Sequence, residues 1–443
     1  MNALLTDLYE LQMAASYLRR GMDGRGTFSL FVRALPPNRG FLVAAGLESC
    51  IDYLETLRFE VEDLRYLRDT LGFTAKDAEA FRRLRFTGDV WAVPEGRIVF
   101  GGEPLVEVTA PLAEAELIET FLLNRITFET TIASKAARCV IAARGRRLID
   151  FAMRRTQGIE ASLDVARLSA MVGFAATSNV EAARRYGLEA TGTMAHSYIQ
   201  AFKSEREAFA AFAQDYPKRA TFLVDTYDTI QGVREAIAVI KDNNLGGDLG
   251  IRIDSGDLAR DSRRARQLLD NAGLMQVRVI ASGGLDEFQV DELTSGGAPI
   301  DAFGVGTRMG VSADQPYLDT AYKLISLGGR PVMKLSRGKA TQPGPKQVFR
   351  RPVPLRDVVG LRVERAPAGY RALLRPVMRD GRRLAPRADL SESRRRFVAD
   401  LALLPPGALS MRSPVPPVVG VTPALRHRTE ATRRSLVQKR TSR

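Results

Sequence analysis

The stretch from Ala190 to Ile199 contains His196, one of only two histidines in the 443-residue chain. A periodic run of apolar residues from Tyr198 to Phe212 predicts a helix directly after it. His196 would then lie where a loop enters a helix, beside free amide groups that favour an anion. The residues alone leave two interpretations open: a histidine satisfied within a helix-capping loop, or a catalytic histidine.

Two carboxylates stand close together in the Asp254-Ser-Gly-Asp257 turn, beside Arg252. One interpretation is an Asx turn in which Asp254 or Ser255 caps the helix that follows. The other is that the carboxylates hold ribose hydroxyls, or a magnesium ion whose remaining ligands are substrate oxygens. Asp225 and Asp228 allow the same two interpretations.

Glycines follow two successive apolar runs, as Gly283-Gly284 and as Gly304-Val-Gly306-Thr307. Such glycines let backbone amides approach an anion closely, and the last strands of an α/β barrel often form a phosphate site. Turn formation is the alternative explanation.

Arg154 and Arg155 come shortly after Phe151. Arginine side chains are rigid forks that suit phosphate recognition. Arginines are also common on the surface of an arginine-rich chain. On composition alone, Phe151 is more often a core residue than a platform for a ligand.

The elements that must position these residues are short apolar runs separated by amphipathic stretches. These runs are Leu148–Ala152, Gly173–Ala176, Thr221–Val224, Gly250–Ile253, Val277–Ala281 and Ala302–Val305. Repeated strand-helix units with continuous apolar strands predict a parallel sheet, and six or seven in a row favour an α/β barrel over an open sheet. Because the carboxyl ends of barrel strands share one face, the polar residues above should meet around one pocket.

We expect four segments along the chain. Residues 1–112 form an α+β domain, residues 113–325 form the α/β barrel, and residues 326–404 return to the first domain. Residues 405–443 carry eight basic side chains against one glutamate, together with several prolines. We expect this basic, proline-rich tail to be disordered.

The formal net charge of +14 raises nucleic-acid binding as one remote function, with the basic tail as the binding arm. No apolar run approaches the length of a membrane span, and the N-terminus has no basic segment followed by an apolar one. Cys50 and Cys139 are the only cysteines and lack a metal-type spacing. These features predict a cytoplasmic protein without a structural zinc site.

Several segments together resemble nicotinate phosphoribosyltransferases. They are Leu5-Thr-Asp-Leu-Tyr9, Phe151-Ala-Met-Arg-Arg155, Thr177-Ser-Asn-Val180, Gly192-Thr-Met-Ala-His-Ser197, Ile253-Asp-Ser-Gly-Asp-Leu258, Asp301-Ala-Phe-Gly-Val-Gly-Thr307 and Lys339-Ala-Thr-Gln-Pro-Gly-Pro-Lys-Gln-Val348. They follow the family order from about Leu4 to Arg350, and the tail after about Leu404 has no counterpart.

The resemblance implies a type II phosphoribosyltransferase fold, which is an irregular α/β barrel plus an α+β sandwich domain built from both chain ends. It also implies a homodimer with active sites completed across the interface. The family reaction joins nicotinate to phosphoribosyl pyrophosphate, coupled to ATP hydrolysis, and gives nicotinate mononucleotide and pyrophosphate in NAD salvage. ATP as co-substrate and Mg²⁺ are the implied cofactors.

The same resemblance implies roles for individual residues. His196 resembles the histidine that ATP transiently phosphorylates, and an imidazole can act as a nucleophile near neutral pH. Phe151 resembles the residue that stacks on one face of the pyridine, with Tyr9 of the other subunit on the opposite face. Arg252 and Thr193 resemble nicotinate or ribose-phosphate contacts.

The remaining implied contacts concern the phosphoribosyl group and the metal. Asp254 resembles a ribose contact and Arg154 a phosphate contact. The backbones of Gly283, Gly284, Gly306 and Thr307 resemble the cradle of the 5-phosphate. Asp257 and Asp225 are the candidate ligands for magnesium.

Ser178 bears on the choice of acceptor. The related nicotinamide enzyme has an aspartate in the corresponding turn, so a neutral serine removes repulsion against a carboxylate and favours nicotinate. Ala152 and Ala176 depart from the family, because glycine is expected at both positions. Nicotinamide and quinolinate phosphoribosyltransferases are the alternative functions within this class.

Overall fold

A computed structural model describes residues 3–336 and 341–441 of the chain, so Lys339 and Ala340 of the last family-like segment lie outside the described residues. The chain divides into two compact units. The terminal unit comprises Met1–Thr131 and Tyr317–Arg443, and the central unit comprises Ile132–Pro316.

The helices are α1 (Leu8–Arg19), α2 (Leu47–Thr56), α3 (Val61–Asp69), α4 (Ala75–Arg83), α5 (Leu112–Leu117), α6 (Glu119–Ala143), α7 (Ile159–Val172), α8 (Val180–Tyr186), α9 (His196–Gln200), α10 (Glu205–Asp215), α11 (Thr229–Asp242), α12 (Leu258–Asn271), α13 (Glu287–Ser295), α14 (Thr307–Gly310), α15 (Leu390–Leu401), α16 (Pro406–Leu409) and α17 (Pro423–Thr441). A short 3₁₀ turn covers Met153–Arg155.

The strands are β1 (Arg25–Val32), β2 (Leu42–Val43), β3 (Asp89–Ala92), β4 (Ile98–Val99), β5 (Pro104–Pro111), β6 (Arg147–Asp150), β7 (Ala176–Thr177), β8 (Thr221–Leu223), β9 (Gly250–Ile253), β10 (Arg278–Ala281), β11 (Ala302–Val305), β12 (Thr320–Leu327), β13 (Arg330–Pro331), β14 (Lys346–Arg351), β15 (Arg356–Leu361), β16 (Arg371–Ala372), β17 (Arg375–Arg379), β18 (Arg382–Arg383) and β19 (Gly420–Val421).

The central unit is built on a parallel sheet in the order β7-β6-β11-β10-β9-β8. Each strand overlaps one of the predicted apolar runs, and β9 and β11 have the predicted bounds. A parallel bridge from Thr177 to Ala190 continues the sheet beyond β7. The strands are mostly buried because amphipathic helices cover the outside of the sheet. The predicted irregular α/β barrel is therefore confirmed.

The terminal unit contains a sheet in the order β13-β12-β1-β5-β3-β17-β18, to which both ends of the chain contribute strands. The pairing of β1 with β12 is antiparallel and places Leu30 opposite Tyr322. The Phe28 and Tyr322 rings stack with their centroids 4.9 Å apart. This sheet confirms the predicted α+β domain formed by both chain ends.

The predicted barrel bounds of 113 and 325 differ from the observed limits of the central unit, residues 132 and 316. Ala113, Leu117 and Leu122 belong to the hydrophobic core of the terminal unit. Strand β12 also belongs there, because it pairs with β1. The helical periodicity from Ala113 onward does not reveal which core each turn of helix packs into.

The prediction of a disordered tail is wrong for the described residues after Leu404. Strand β19 pairs in parallel with β15, and α17 packs Leu425 fully into the core of the terminal unit. Leu425 and Thr432 are buried at helical spacing along α17, with Thr429 partly buried between them. The high proline and arginine content of the segment hides this narrow buried stripe in the sequence. Because the described part of the tail is folded, it is not the disordered arm that the nucleic-acid-binding hypothesis assumed.

Candidate active site

The loops after β6, β8, β9, β10 and β11 carry most of the residues predicted to do chemistry. Because parallel strands point the same way, these loops lie at one edge of the sheet.

Within the described residues, no helix is both long enough and apolar enough to cross a membrane.

Arg252 lies in the middle of β9, in register with Leu223 of β8 and Ile280 of β10. Its guanidinium donates hydrogen bonds to three loops: to Ser282 Oγ at 2.7 Å, to Thr193 Oγ1 at 2.9 Å and to Asp254 Oδ1 at 2.5 Å. A guanidinium has five N–H donors. Two therefore remain for a ligand, as judged from the described part of the chain.

Asp254 is held from several sides. The Ser282 hydroxyl donates to its Oδ1, and the Asp254 amide donates to Asp225 Oδ2 at 3.0 Å. Burial alone would raise the pKa of Asp254. The Ser282 hydrogen bond and the Arg252 guanidinium outweigh burial, with a smaller contribution from His196, so the pKa of this carboxyl lies below its usual value. Asp254 is therefore a carboxylate at neutral pH.

The other aspartates of these loops divide into caps and one open carboxylate. Asp257 Oδ1 accepts from the Arg260 amide at the start of α12, and Asp228 Oδ1 caps α11. The capping interpretation is thus correct for Asp228, whereas in the 254–257 turn the cap is Asp257 and not, as predicted, Asp254 or Ser255. Asp225 differs, because its Oδ1 is buried and has no hydrogen-bond partner among the described residues.

An unpaired carboxylate oxygen is a suitable ligand for a hard cation such as Mg²⁺. Asp225 therefore fits the predicted metal role, whereas the side chain of Asp257 is engaged as a helix cap. In the described part of the chain, no group of three or more histidine, cysteine, aspartate or glutamate side chains is placed to hold a metal. Any metal here would take most of its ligands from substrate and water.

His196 is the first residue of α9 and is half-buried. Its Nδ1 lies 3.1 Å from Thr226 Oγ1, in the loop after β8. The single helix predicted from Tyr198 to Phe212 is wrong: α9 ends at Gln200, and α10 begins after Ser204, which accepts from the Glu207 amide as its cap. Thr226 engages one ring nitrogen, and no hydrogen bond from the described residues reaches the other.

The glycines after β10 and β11 differ in what they do. Gly283 has φ of +95°, and a Cβ there would lie 1.8 Å from the Asp254 carbonyl oxygen, so only glycine fits. At Gly304 a Cβ would lie 2.6 Å from the Phe151 ring, and at Gly306 it would lie 2.9 Å from the Phe151 carbonyl oxygen. Gly284 has φ of +67° and open space beside it. Gly304 and Gly306 therefore make room for Phe151, and the 283–284 turn leaves open space for a ligand.

Phe151 borders a cavity of about 490 Å³ inside the central unit. Ser178 and Thr193 also line it, as do Ile280 and Ala302 from the interior of the sheet. The Arg252 guanidinium carbon lies 5.3 Å from the centroid of the Phe151 ring, within the range of a cation–π contact. The cavity thus has an aromatic wall with a cation beside it.

Ser178 is held by its backbone, because its amide donates to the Asp150 carbonyl oxygen at 2.8 Å. The buried Asp150 carboxylate accepts from the Thr177 hydroxyl and the Ala152 amide. Burial raises the pKa of Asp150, and these two hydrogen bonds reduce the rise. Asp150 therefore joins the loops after β6 and β7 on which Phe151 and Ser178 stand.

The two departures from the family pattern are accommodated by packing. Ala152 is fully buried, and a side chain at Gly310 would place its Cβ 2.6 Å from the Ala152 methyl. Ala176 packs with Ile149 and Ile280 in a small hydrophobic cluster that also contacts Phe151. Ala152 therefore occupies space that Gly310 leaves free.

Three of the predicted site residues stand apart from these contacts. Arg154 and its neighbour Arg155 are exposed on the 3₁₀ turn, and Thr307 begins α14. Tyr9 belongs to the terminal unit, where it is 47% exposed on α1 and donates to Glu10 Oε1 at 3.2 Å. Their roles stay predictions.

Three other residues complete the network without having been predicted as site residues. Thr226 contacts His196, Ser282 joins Arg252 to Asp254, and Asp150 supports two loops. Each stands at or just beyond the carboxyl end of a strand. That position was the available signal, but it does not distinguish supporting residues from ordinary loop residues.

The sequence matches two protein-family models. Residues 4–127 match the nicotinate phosphoribosyltransferase N-terminal domain, and residues 146–349 match the nicotinate phosphoribosyltransferase family. Nicotinate phosphoribosyltransferase pncB2 of Mycobacterium tuberculosis is 46% identical over 416 residues, which cover 93% of this chain and 89% of the relative. The Bacillus subtilis nicotinate phosphoribosyltransferase is 42% identical over 357 residues, covering 79% and 73%.

Solved structures agree with these matches. The crystal structure of human nicotinic acid phosphoribosyltransferase has a TM-score of 0.85 at 27% identity and covers 96% of this chain and 99% of its own. The nicotinate-nucleotide pyrophosphorylase of Pyrococcus furiosus shares the fold, with a TM-score of 0.75 at 24% identity over 90% of this chain and 95% of its own. By its sequence and its fold, the chain belongs to the nicotinate phosphoribosyltransferase family.

Proposed function

We propose that the chain transfers the 5-phosphoribosyl group from phosphoribosyl pyrophosphate to nicotinate, giving nicotinate mononucleotide and pyrophosphate. The observation that supports this most directly is the Arg252 network. It sets a cation beside an aromatic wall, at the edge of the sheet where the glycine turns and Asp254 also stand. An anionic planar acceptor and a phosphorylated ribose are the ligands that such a site suits.

Nicotinate binding is the step for which Phe151 and Arg252 are suited. The Phe151 ring offers an apolar face to the pyridine, and the two remaining Arg252 donors are available to the carboxylate. Ser178 carries no charge, so this position itself does not repel the nicotinate carboxylate.

The phosphoribosyl group would lie at the loops after β9, β10 and β11. The Asp254 carboxylate accepts from ribose hydroxyls, and the amides of Gly283, Gly284 and Gly306 face the 5-phosphate. Arg154 supplies a further cation toward a phosphate. Asp225 would hold Mg²⁺ through its unpaired Oδ1, and the ion supplies charge neutralisation to the pyrophosphate.

The chemical step forms a bond from the pyridine nitrogen to ribose C1′ while the bond from C1′ to the pyrophosphate oxygen breaks. Positive charge develops on the ribose in the transition state, and the leaving electron pair goes to pyrophosphate. The protein contributes mainly by aligning the nitrogen with C1′ and by placing the Asp254 carboxylate near the developing charge.

ATP coupling is assigned to His196. The free ring nitrogen attacks the γ-phosphorus of ATP, a P–N bond forms and ADP leaves; water later cleaves the P–N bond. Thr226 holds the other ring nitrogen, so the imidazole keeps one orientation through both steps. The phosphorylated histidine then orders the phosphoribosyl site.

The proposed assembly is a homodimer in which Tyr9 of one subunit covers the nicotinate of the other. Tyr9 is exposed on α1 next to Leu8, which is 46% exposed, and Leu5 just before the helix is 51% exposed. Exposed apolar groups of this kind favour a contact with another subunit. Two free buried cysteines support a reducing, cytoplasmic setting for this enzyme.

The first prediction concerns the acceptor. With phosphoribosyl pyrophosphate and ATP, kcat/KM for nicotinate should exceed that for nicotinamide and for quinolinate by about 100-fold or more. Nicotinamide has no carboxylate to pair with Arg252, and quinolinate has a second carboxylate for which Ser178 offers no charge. Product formation from each acceptor, with and without ATP, is the measurement. Equal or better use of nicotinamide or quinolinate would show that the acceptor is misassigned.

Ser178 supplies a matched pair of variants for the acceptor test. Ser178→Asp should lower kcat/KM for nicotinate by roughly tenfold or more through charge repulsion, whereas Ser178→Ala should stay within about threefold of wild type. If both variants behave alike, charge at this position does not govern acceptor choice.

The second prediction concerns His196. His196→Ala should lose stimulation of synthesis by ATP and should take up no acid-labile phosphate from γ-labelled ATP, while slow ATP-independent transfer remains. His427, the other histidine, is exposed on α17, so His427→Ala is the control and should be labelled like wild type. A labelled, fully ATP-stimulated His196→Ala enzyme would refute the assignment.

The third prediction tests the shared site. Tyr9→Ala should raise KM for nicotinate by about tenfold through loss of one stacking face. A mixture of Tyr9→Ala and His196→Ala subunits, unfolded and refolded together, should regain part of the ATP-stimulated activity, because some mixed dimers contain one intact site. If the mixture shows only the average of its parts, Tyr9 does not act across an interface.

A further inference from the structure

Helix α6 carries a charged side chain that is completely buried. Lys135 Nζ lies 2.5 Å from Glu287 Oε2 and 2.8 Å from Asp314 Oδ1, and Lys135 and Glu287 are both 0% exposed. Arg138, one turn along α6, pairs with the other Glu287 oxygen at 3.0 Å. Both cations also lie near the Phe288 ring, each 5.6 Å from its centroid.

The two carboxylates of this cluster belong to the segments that follow the two glycine turns. Glu287 is the first residue of α13 and comes three residues after Gly284. The residue between Leu285 and Glu287 is Asp286, which caps α13 by accepting from the Phe288 amide at 2.9 Å. Only two residues separate Glu287 from the first glycine turn, and one of them is the helix cap, so a displacement of Glu287 would also displace the turn.

Backbone hydrogen bonds within residues 306–314 connect Asp314 to the second glycine turn. The Gly310 amide donates to the Gly306 carbonyl oxygen at 2.9 Å, and the Ala313 amide donates to the Arg308 carbonyl oxygen at 2.9 Å. The residues from Gly306 to Asp314 are thus one compact segment. Lys135 holds the end of this segment and the start of α13 with the same ammonium group.

Stability does not explain such an arrangement. Taking charged groups out of water is costly, and well-packed apolar side chains of similar size often give equal or greater stability. A buried ion cluster does restrict the geometry of the elements it joins, because breaking one of its pairs leaves buried charge less well compensated. The feature that these particular elements share is a glycine turn at the active-site edge.

We propose that Lys135, paired with Glu287 and Asp314, is a positioning residue that holds the two glycine turns at the separation required by the 5-phosphate of phosphoribosyl pyrophosphate. The proposal rests on the proposed function, because it takes the turns at Gly283-Gly284 and Gly306-Thr307 as the phosphate cradle. Weakening the cluster should reduce affinity for this substrate and leave nicotinate binding unchanged.

Asp314→Asn tests the proposal in the full-length enzyme, since it weakens one link and leaves Lys135 paired with Glu287. We expect KM for phosphoribosyl pyrophosphate to rise about three- to tenfold, with kcat and KM for nicotinate within about twofold of wild type. Asp291→Asn is the control, because Asp291 on α13 forms an exposed pair at 3.1 Å with Arg144, the residue directly after α6. It should change neither KM.

An unchanged KM for phosphoribosyl pyrophosphate in folded Asp314→Asn, or an equal rise in both KM values, would overturn the positioning role. If Asp314→Asn does not fold, Glu287→Gln, which weakens the other Lys135 pair, is measured in the same way with the same expected split. The activity of the wild type distinguishes failure of the proposed function from failure of the positioning role. If the wild type forms no product from nicotinate and phosphoribosyl pyrophosphate, the proposed function is wrong. If the wild type is active and the variant is unaffected, only the positioning role is wrong.

Discussion

Arg252 lies within an otherwise apolar parallel strand, and its guanidinium must find polar partners because an unpaired buried charge is costly. It finds them in three different loops, at Thr193, Asp254 and Ser282. Charge-assisted hydrogen bonds of this kind are among the stronger ones in proteins. Three loops to which we assign contacts with the ribose, the acceptor or the phosphate are therefore tied to one side chain.

The surrounding sheet makes that arrangement possible. Register with β8 and β10 fixes the height of Arg252, and glycine at position 283 lets the next loop approach within contact distance of Asp254. Gly304 leaves room for the Phe151 ring, which in turn lies near the Arg252 guanidinium. Strand pairing, glycine spacing and charge satisfaction thus depend on one another, and each supports the proposed binding of an anionic aromatic acceptor.

Much of the fold and part of the site could be predicted from the sequence. Buried parallel strands are recognisable as continuous apolar runs, so all six were located from the sequence, and the bounds of Gly250–Ile253 and Ala302–Val305 were confirmed. Helix caps were harder to predict from the sequence. Asp254 and Asp257 lie in the same turn, and only the folded chain shows that Asp257 caps α12 whereas Asp254 accepts from Arg252. The order of α17 was missed because a few buried side chains can anchor a basic helix.

The most direct test of the central role of Arg252 is the kinetics of Arg252→Lys, which keeps the charge but lacks the planar fork that reaches three loops. We expect kcat/KM for nicotinate to fall by about 100-fold or more. Arg278→Lys, at the start of β10 on the wall of the cavity that Phe151 borders, is the control and should stay within about threefold of wild type. An Arg252→Lys enzyme that keeps a third or more of wild-type kcat/KM would contradict the account, because charge alone would then suffice.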